Sequence, residues 1–236
     1  MPTYNLLPFN TQNKIEQYKK IFGTLTEVHL GYKSLTDEDA LAIGELLKTN
    51  NTLETLYLSN NNITDVQSIG DALKTNNTLT YLNLGDNNIT DVQSIGEGLK
   101  TNNTLKSLSL ESNNITNVQS FGEALKNNTL ITLNLDNNNI TDVQSIGDAL
   151  QTNNTLKALH LNHNNITDDS GIQSIIDVLK TNNTLKWLGL HNNQLSETMK
   201  SQLNTIEQYK TAGLNGYQQV KGFWIYHYSN KIKLRF

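Results

Sequence analysis

The chain has 236 residues, of which 36% are hydrophobic and 17% charged, with a net charge of −4 and no cysteine. The missing thiol excludes disulfides, thiolate metal sites and cysteine nucleophiles, and so small a negative charge argues against a general nucleic-acid binder, which needs a strongly basic face. No apolar run approaches the ~20 residues of a membrane-spanning helix, and the opening stretch MPTYNLLPFNTQNKIEQYKK has no uninterrupted apolar core behind a basic head, so neither a membrane span nor a signal peptide is expected.

Residues 1–24 read as an N-terminal helical cap, with Ile15, Tyr18 and Ile21/Phe22 spaced to make one apolar face beside the first strand. A repeat array has an open apolar end, and terminal units with a polar outer face keep it soluble. From residue 25 to 203 one frame, L-x-x-L-x-L-x-x-N-x-I, dominates. It is complete at Leu53/Leu56/Leu58/Asn61/Ile63 and recurs from Leu79, Leu105, Leu130, Leu156 and Leu185, the last copy ending in Leu195. A degenerate copy precedes these at Leu25, Val28, Leu30, Lys33 and Leu35, making about seven repeats in all. Lys33 stands where the others have asparagine, so its turn must be held in another way.

Each repeat divides into parts with a physical role. In Leu56-Tyr57-Leu58 the side chains alternate, so the leucines enter a core while Thr55, Tyr57 and Ser59 face solvent from a parallel sheet. The asparagines Asn61, Asn87, Asn113, Asn138, Asn164 and Asn193 then turn the chain, and their amides can satisfy backbone groups that the bend leaves unpaired, forming a structural ladder. Next, Thr64-Asp65-Val66-Gln67 matches a capping box, repeated at Thr90/Gln93, Thr116/Gln119 and Thr141/Gln144. Asp65, Asp91 and Asp142 are expected in the first helical turn, complementing the helix dipole. Val66, Ile69, Gly70 and Leu73 follow at helical spacing. Lys74 with Asn76/Asn77 should end the helix, the asparagines adopting left-handed turn conformations. Gly70, Gly96, Gly122 and Gly147 are expected where helix packs closely on sheet.

Beyond the array, residues 204–236 read as a C-terminal cap. A Ser196 N-cap and a helix through Leu203, Ile206 and Tyr209 would close the solenoid, with Gly213 and Gly216 breaking it. The segment GFWIYHYSNKIKLRF alternates with period two on both sides of Ser229-Asn230, a hairpin pattern. Pairing Tyr228 with Lys231 sets His227 against Ile232, Ile225 against Leu234 and Phe223 against Phe236, one nearly continuous apolar face that should cover the end of the array.

The frame, the helix in each repeat and the returning phrase KTNNTLxxLxL resemble the ribonuclease-inhibitor-like leucine-rich repeat proteins over residues 25–203. That resemblance implies an α/β solenoid, a curved horseshoe with a parallel β-sheet on the concave face and helices on the convex face. One departure is spacing. From Leu53 to Leu156 the intervals are 26, 26, 25 and 26 residues in place of the family's 28 or 29, which only the first (28) and last (29) reach, so shorter helices and altered curvature are expected. The near-identical copies, the high asparagine content and the absent leader also resemble leucine-rich repeat effectors of intracellular bacteria, of the Legionella type.

No glycine-rich phosphate loop, nucleophile elbow or H-E-x-x-H motif occurs, so an enzyme is not expected and neither is a cofactor. Because the repeat dictates the rest, functional residues should be those that vary at solvent positions of the strands. His29, Tyr57 and Tyr81 gather at one end of the concave face and His160, Trp187 and His191 at the other, with the acids Glu111 and Asp136 between; Trp and Tyr are typical of binding hot spots. These eight residues form the candidate partner-binding set. Trp187 either binds a partner or only covers the end of the array. His160, His163 and His191 with Asp136 could in principle approach one metal ion, but solvent histidines without supporting hydrogen bonds are usually just surface, and no metal site is assigned. The expected function is a non-enzymatic protein-binding module, with a secreted bacterial effector acting on a host protein as its narrower form. Its alternatives are a regulator of a small GTPase, an idea that rests on the resemblance alone, and a structural array without a fixed partner. A monomer is expected. The many N-x-T triplets, which a secretory route would expose to glycosylation, favour the cytoplasm or, for an effector, a host cytosol.

Overall fold

The computed structural model describes residues 9–126, 129–168, 170–182, 184–203, 224–228 and 231–235. Helices α1 (Phe9–Phe22), α2 (Asp37–Leu47), α3 (Gln67–Leu73), α4 (Gln93–Leu99), α5 (Gln119–Leu125), α6 (Gln144–Leu150) and α7 (Ser170–Thr181) alternate with strands. The strands are β1 (Glu27–His29), β2 (Thr55–Tyr57), β3 (Tyr81–Asn83), β4 (Ser107–Ser109), β5 (Thr132–Asn134), β6 (Ala158–His160) and β7 (Trp187–Gly189), followed by β8 (Trp224–Tyr228) and β9 (Lys231–Arg235). The first seven run parallel in sequence order. Their register sets Val28, Leu56, Leu82, Leu108, Leu133, Leu159 and Leu188 side by side, all but Val28 wholly buried and Val28 nearly so. One leucine column thus runs the length of the array, and neighbouring columns of Leu and Ile fill the space between sheet and helices.

Helix length follows repeat spacing. The 25- and 26-residue intervals carry helices of 7 residues, whereas the 28-residue interval carries the 11-residue α2 and the 29-residue interval the 12-residue α7.

The helix starts differ from the capping-box expectation. In α3 the first helical residue is Gln67 and the N-cap position is Val66 (φ −116°, ψ 17°), so Thr64 stands outside the helix. The Gln67 amide turns down the helix to Asp71 (3.0 Å) instead of reaching back. The cap comes from Asp65, one residue ahead of Val66, whose Oδ1 accepts the Gln67 N–H at 2.7 Å; Asp91, Asn117 and Asp142 do the same for Gln93, Gln119 and Gln144. The aspartates are caps, but they lie before the helix and not in its first turn.

The glycines serve helix-on-helix contact, and not the helix-on-sheet contact expected. A Cβ on Gly70 would lie 2.4 Å from the Ser94 carbonyl carbon, one on Gly96 2.3 Å from Ser120 Cβ, and one on Gly122 2.4 Å from Ser145 Cβ. Each helix therefore nests a serine of the next repeat into a glycine notch, which sets how close successive helices stand.

The asparagine ladder holds as expected. Asn87 donates to the carbonyls of Leu58 (3.0 Å), Leu84 (3.1 Å) and Gly85 (3.1 Å), and its Oδ1 accepts the Ile63 N–H (3.0 Å) of the preceding repeat. Every rung joins two repeats. The degenerate first turn is held from its neighbour, with Asn61 Oδ1 accepting the N–H groups of Lys33 and Leu35, both at 3.0 Å. Left-handed backbone falls just before each ladder residue, at Asn60, Asp86, Ser112, Asn137, His163 and Asn192, and at Tyr32 and Ser34 around Lys33. Asn76 and Asn77 are not left-handed. Asn76 instead belongs to a second ladder on the other side of the core. Its Nδ2 donates to Leu47 O (2.9 Å) and Asn50 O (3.1 Å), and its Oδ1 accepts Leu79 N–H (2.9 Å). Asn102, Asn153 and Asn182 repeat the pattern.

At the N-terminal end Ile15, Tyr18 and Phe22 are buried, while Ile21 is 45% exposed and so outside the apolar face. The helix α1 packs on α2. Their contact includes a polar knot in which Asp39 accepts from Lys14, from the Tyr18 hydroxyl (2.9 Å) and from the Thr36 N–H (2.9 Å). Burial alone would raise the Asp39 pKa, but the bonds from Lys14, Thr36 and Tyr18 outweigh it and hold the carboxyl below its ordinary value. Burial, then the bond to Asp39 and its charge, push Tyr18 upward. A depressed folded-state pKa contributes stability that is present above the unfolded value of 3.8 and lost as pH falls through the folded one. Asp39→Asn should therefore cost about 1–3 kcal/mol near pH 7, as loss of charged hydrogen bonds does. Urea melts of both proteins should converge below pH 3.8; parallel stability curves from pH 7 to 2.5 would contradict the assignment.

At the other end residues 197–203 are helical, and Ser196 Oγ accepts the Met199 N–H (3.2 Å), the expected cap. Ile206, Tyr209, Gly213, Gly216 and the Phe223/Phe236 pair lie outside the described residues. The hairpin has the expected register, Tyr228 with Lys231, His227 with Ile232 and Ile225 with Leu234. It sits at the C-terminal end of the array, joined through the edge of the sheet. β9 pairs antiparallel with β7, Trp187 with Arg235 and Leu188 with Leu234, so the hairpin continues the sheet edgewise as its eighth and ninth strands.

Candidate functional site

The sheet face opposite the leucine column carries His29, Tyr57, Tyr81, His160 and Trp187, while Glu111, Asp136 and His191 lie two residues past the ends of β4, β5 and β7. On β1 to β3, His29 stacks on Tyr57 with centroids 4.3 Å apart and planes 8° apart, and Tyr57 leans on Tyr81 at 5.0 Å. Parallel register brings this about, since His29 and Tyr57 are aligned partners and Thr55 aligns with Tyr81. Glu27 holds the outer side of the stack, its Oε1 2.8 Å from His29 Nε2. Burial raises the Tyr81 pKa and Tyr57 pushes the same way, against a hydrogen bond with Asn83.

The two acids between the ends are tied down by amides. Glu111 accepts from Asn134 Nδ2 (2.5 Å) and lies over Gly85, where a Cβ would meet its Cγ at 3.0 Å. Asp136 accepts both the Asn162 N–H (2.6 Å) and its Nδ2 (2.9 Å). Asn162 fills the space above Gly189, where a Cβ would come within 2.4 Å of the amide, and accepts the His191 N–H (3.1 Å). Glu111 and Asp136 thus stiffen the face as well as charging it.

At the far end His160 leans on Trp187 with centroids 5.7 Å apart, and His191 meets His163 edge-on, their Nε2 atoms 3.1 Å apart. Trp187 is half-buried, and β7 is not the edge of the sheet, since β9 pairs beyond it. Upstream of these strands Lys157 and Lys186 are adjacent, the Lys186 N–H bonding the Lys157 carbonyl at 2.7 Å. Burial lowers the Lys186 pKa, and the Lys157 charge adds to it. His160 Nδ1 stands 4.0 Å from Asp136, and among the described residues no group of three or more His, Asp or Glu is placed to hold a metal ion.

The set therefore forms two aromatic clusters and not one pocket. Strands stand about 4.8 Å apart, which puts roughly 24 Å between β2 and β7. Sequence reasoning missed the belt Asp136-Asn162-His191. Its signal was the glycine at 189, which leaves room for the Asn162 amide to lie flat.

The seven parallel strands, each followed by a turn and a helix, define a leucine-rich repeat solenoid. Residues 51–101 match the family model described as Leucine Rich repeats (2 copies), and residues 101–118, 126–143 and 152–173 match that described as Leucine Rich repeat. Among solved structures the chain is similar to an internalin (InlF) from Listeria monocytogenes, with 25% identity and a TM-score of 0.52 over 70% of this chain. It spans 41% of that internalin's length. Internalin C2 of the same organism aligns at 22% identity and a TM-score of 0.46, covering 77% of this chain and 76% of that one. No curated protein matches the chain in sequence. Among the described residues no helix is long and apolar enough to cross a membrane.

Proposed function

We propose that this chain is a non-enzymatic binding module that holds a protein partner on the concave face of its sheet. The observation that carries the reading is the His29-Tyr57-Tyr81 stack, which lies on the solvent side where neither the leucine core nor the asparagine ladders require an aromatic. The His160/Trp187 pair supplies a second anchor, and Glu111, Asp136 and His191 complete the surface between and beside them. Residues 1–24 and 204–236 act as the two caps of the array. A helix in every repeat supports the ribonuclease-inhibitor-like variety of the fold. Similarity to a Listeria internalin supports a bacterial protein, with an effector directed at a host protein as the finer reading. The absence of cysteine and the density of N-x-T triplets favour a cytosol as the place of action.

Pulldown from host-cell lysate with the wild type, Tyr57→Ala and Trp187→Ala tests this. Each substitution should weaken capture of the same partner by roughly thirtyfold, the worth of a hot spot of about 2 kcal/mol, with the melting temperature little changed. Loss of stability at Trp187→Ala with capture intact would instead make that residue a packing element of the C-terminal end.

A further inference from the structure

The nine-stranded sheet ends differently on its two sides. At the N-terminal side β1 offers an edge of three residues carrying the Glu27–His29 pair, short and charged, which is how proteins discourage edge-to-edge pairing. At the C-terminal side the outermost strand is β8, five residues, W-I-Y-H-Y, with no Lys, Arg, Asp, Glu, Pro or Gly. The basic strand of the hairpin, K-I-K-L-R, is the inner one, between β7 and β8. That order is the reverse of a protected edge. The cations sit where the sheet is closed already, and the uncharged aromatic strand lies outermost, with no strand on its outer side among the described residues.

We infer that the outer edge of β8 pairs with β8 of a second copy of this chain, antiparallel and about a two-fold axis at Tyr226, so that one sheet continues through both copies. Self-pairing along the full strand sets Tyr226 opposite Tyr226 of the second copy, Ile225 opposite His227, and Trp224 opposite Tyr228. An isologous contact requires a self-complementary strand. This one meets the requirement, because every cross-strand pair is aromatic or aliphatic with aromatic and no like charges meet. The same pairing through β9 would set cation against cation. Alternation also keeps Trp224, Tyr226 and Tyr228 at register positions on one face and Ile225 and His227 on the other, so both copies present matching faces. A dimer takes the place of the monomer expected from the sequence.

The axis makes a charge-swap test possible. Tyr226→Lys and Tyr226→Glu each place like charges opposite each other at the axis, while an equimolar mixture places Lys opposite Glu. Sedimentation velocity on the full chain should give a mass near twice 26.5 kDa for the wild type, 26.5 kDa for each variant alone, and the doubled mass again for the mixture. Tyr226 aligns with Lys233 inside the hairpin, so one variant alone could act by loosening it; recovery on mixing cannot arise that way. A monomeric wild type, variants that stay dimeric alone, or a mixture that stays monomeric would each overturn the inference. A monomer that takes up an extended peptide on this edge would also overturn it, and would make β8 a strand-addition site for another protein.

Discussion

Asn113→Ala will lower the unfolding free energy by about 3–5 kcal/mol, because several buried backbone groups lose their partner together at a cost of about 1–3 kcal/mol each. The Asn113 Oδ1 takes the Ile89 N–H at 2.9 Å, and its Nδ2 donates to Leu84 O (3.0 Å), Leu110 O (3.1 Å) and Glu111 O (3.2 Å). Alanine returns none of these bonds, and the side chain is too buried for water to replace it freely. The lost groups belong to two repeats. In a solenoid stability is largely a sum of repeat and nearest-neighbour terms, so the break uncouples the array in its middle. The control is Asn114→Ala, one residue on and exposed, which should stay within about 0.5 kcal/mol of the wild type. Urea unfolding followed by circular dichroism reads both, and equal midpoints for the two variants would remove the ladder from the account.

Leu110→Ala comes next, at about 2–5 kcal/mol, the range for truncating a buried leucine and leaving its cavity. Leu110 is wholly buried in the central repeat. Its neighbour Ser109 sits on the other side of the sheet and is 9% exposed, less open than its outward position suggests, because it lies between the longer Asn83 and Asn134 of the adjoining strands. Ser109→Ala removes one oxygen and leaves no cavity, so it should be nearly silent. Were both variants to melt alike, the division of strand positions into core and concave face would be wrong.

The strand register, the core columns and the first asparagine ladder were legible in the sequence because one frame recurs at six places. A side chain that does the same work in every repeat leaves a period that can be counted. Other features were hidden for particular reasons. The second ladder, Asn50-Asn76-Asn102-Asn153-Asn182, is as periodic as the first. Its place at the end of a helix suggested a left-handed turn, and only the backbone shows that the left-handed residue is the one before Asn61 and its equivalents. The capping box failed because T-x-x-Q fits a box by composition, while the helix start depends on whether Val66 enters the helix, which the motif does not encode. The notch glycines were recognised as close contacts, but whether sheet or neighbouring helix makes the contact is a property of repeat stacking. In the candidate site the solvent positions of the strands align across the sheet, His29 with Tyr57 and Thr55 with Tyr81. What the sequence lacked were the amide bonds that tie Glu111 to Asn134 and Asp136 to Asn162, since polar pairs across strands leave no period. The hairpin register followed from alternation, but its edgewise pairing with β7 involves strands far apart in sequence and could not be deduced locally.

In the proposed function the varied concave face, and not the outer helices, meets the partner. Incorporating a photoreactive phenylalanine analogue at Tyr57, at Trp187 and at Gln119, the last exposed on α5, and irradiating each in lysate measures this directly. Adducts of one common mass shift from positions 57 and 187, with none from 119, are the predicted result; adducts from 119 with neither concave position reacting would contradict it.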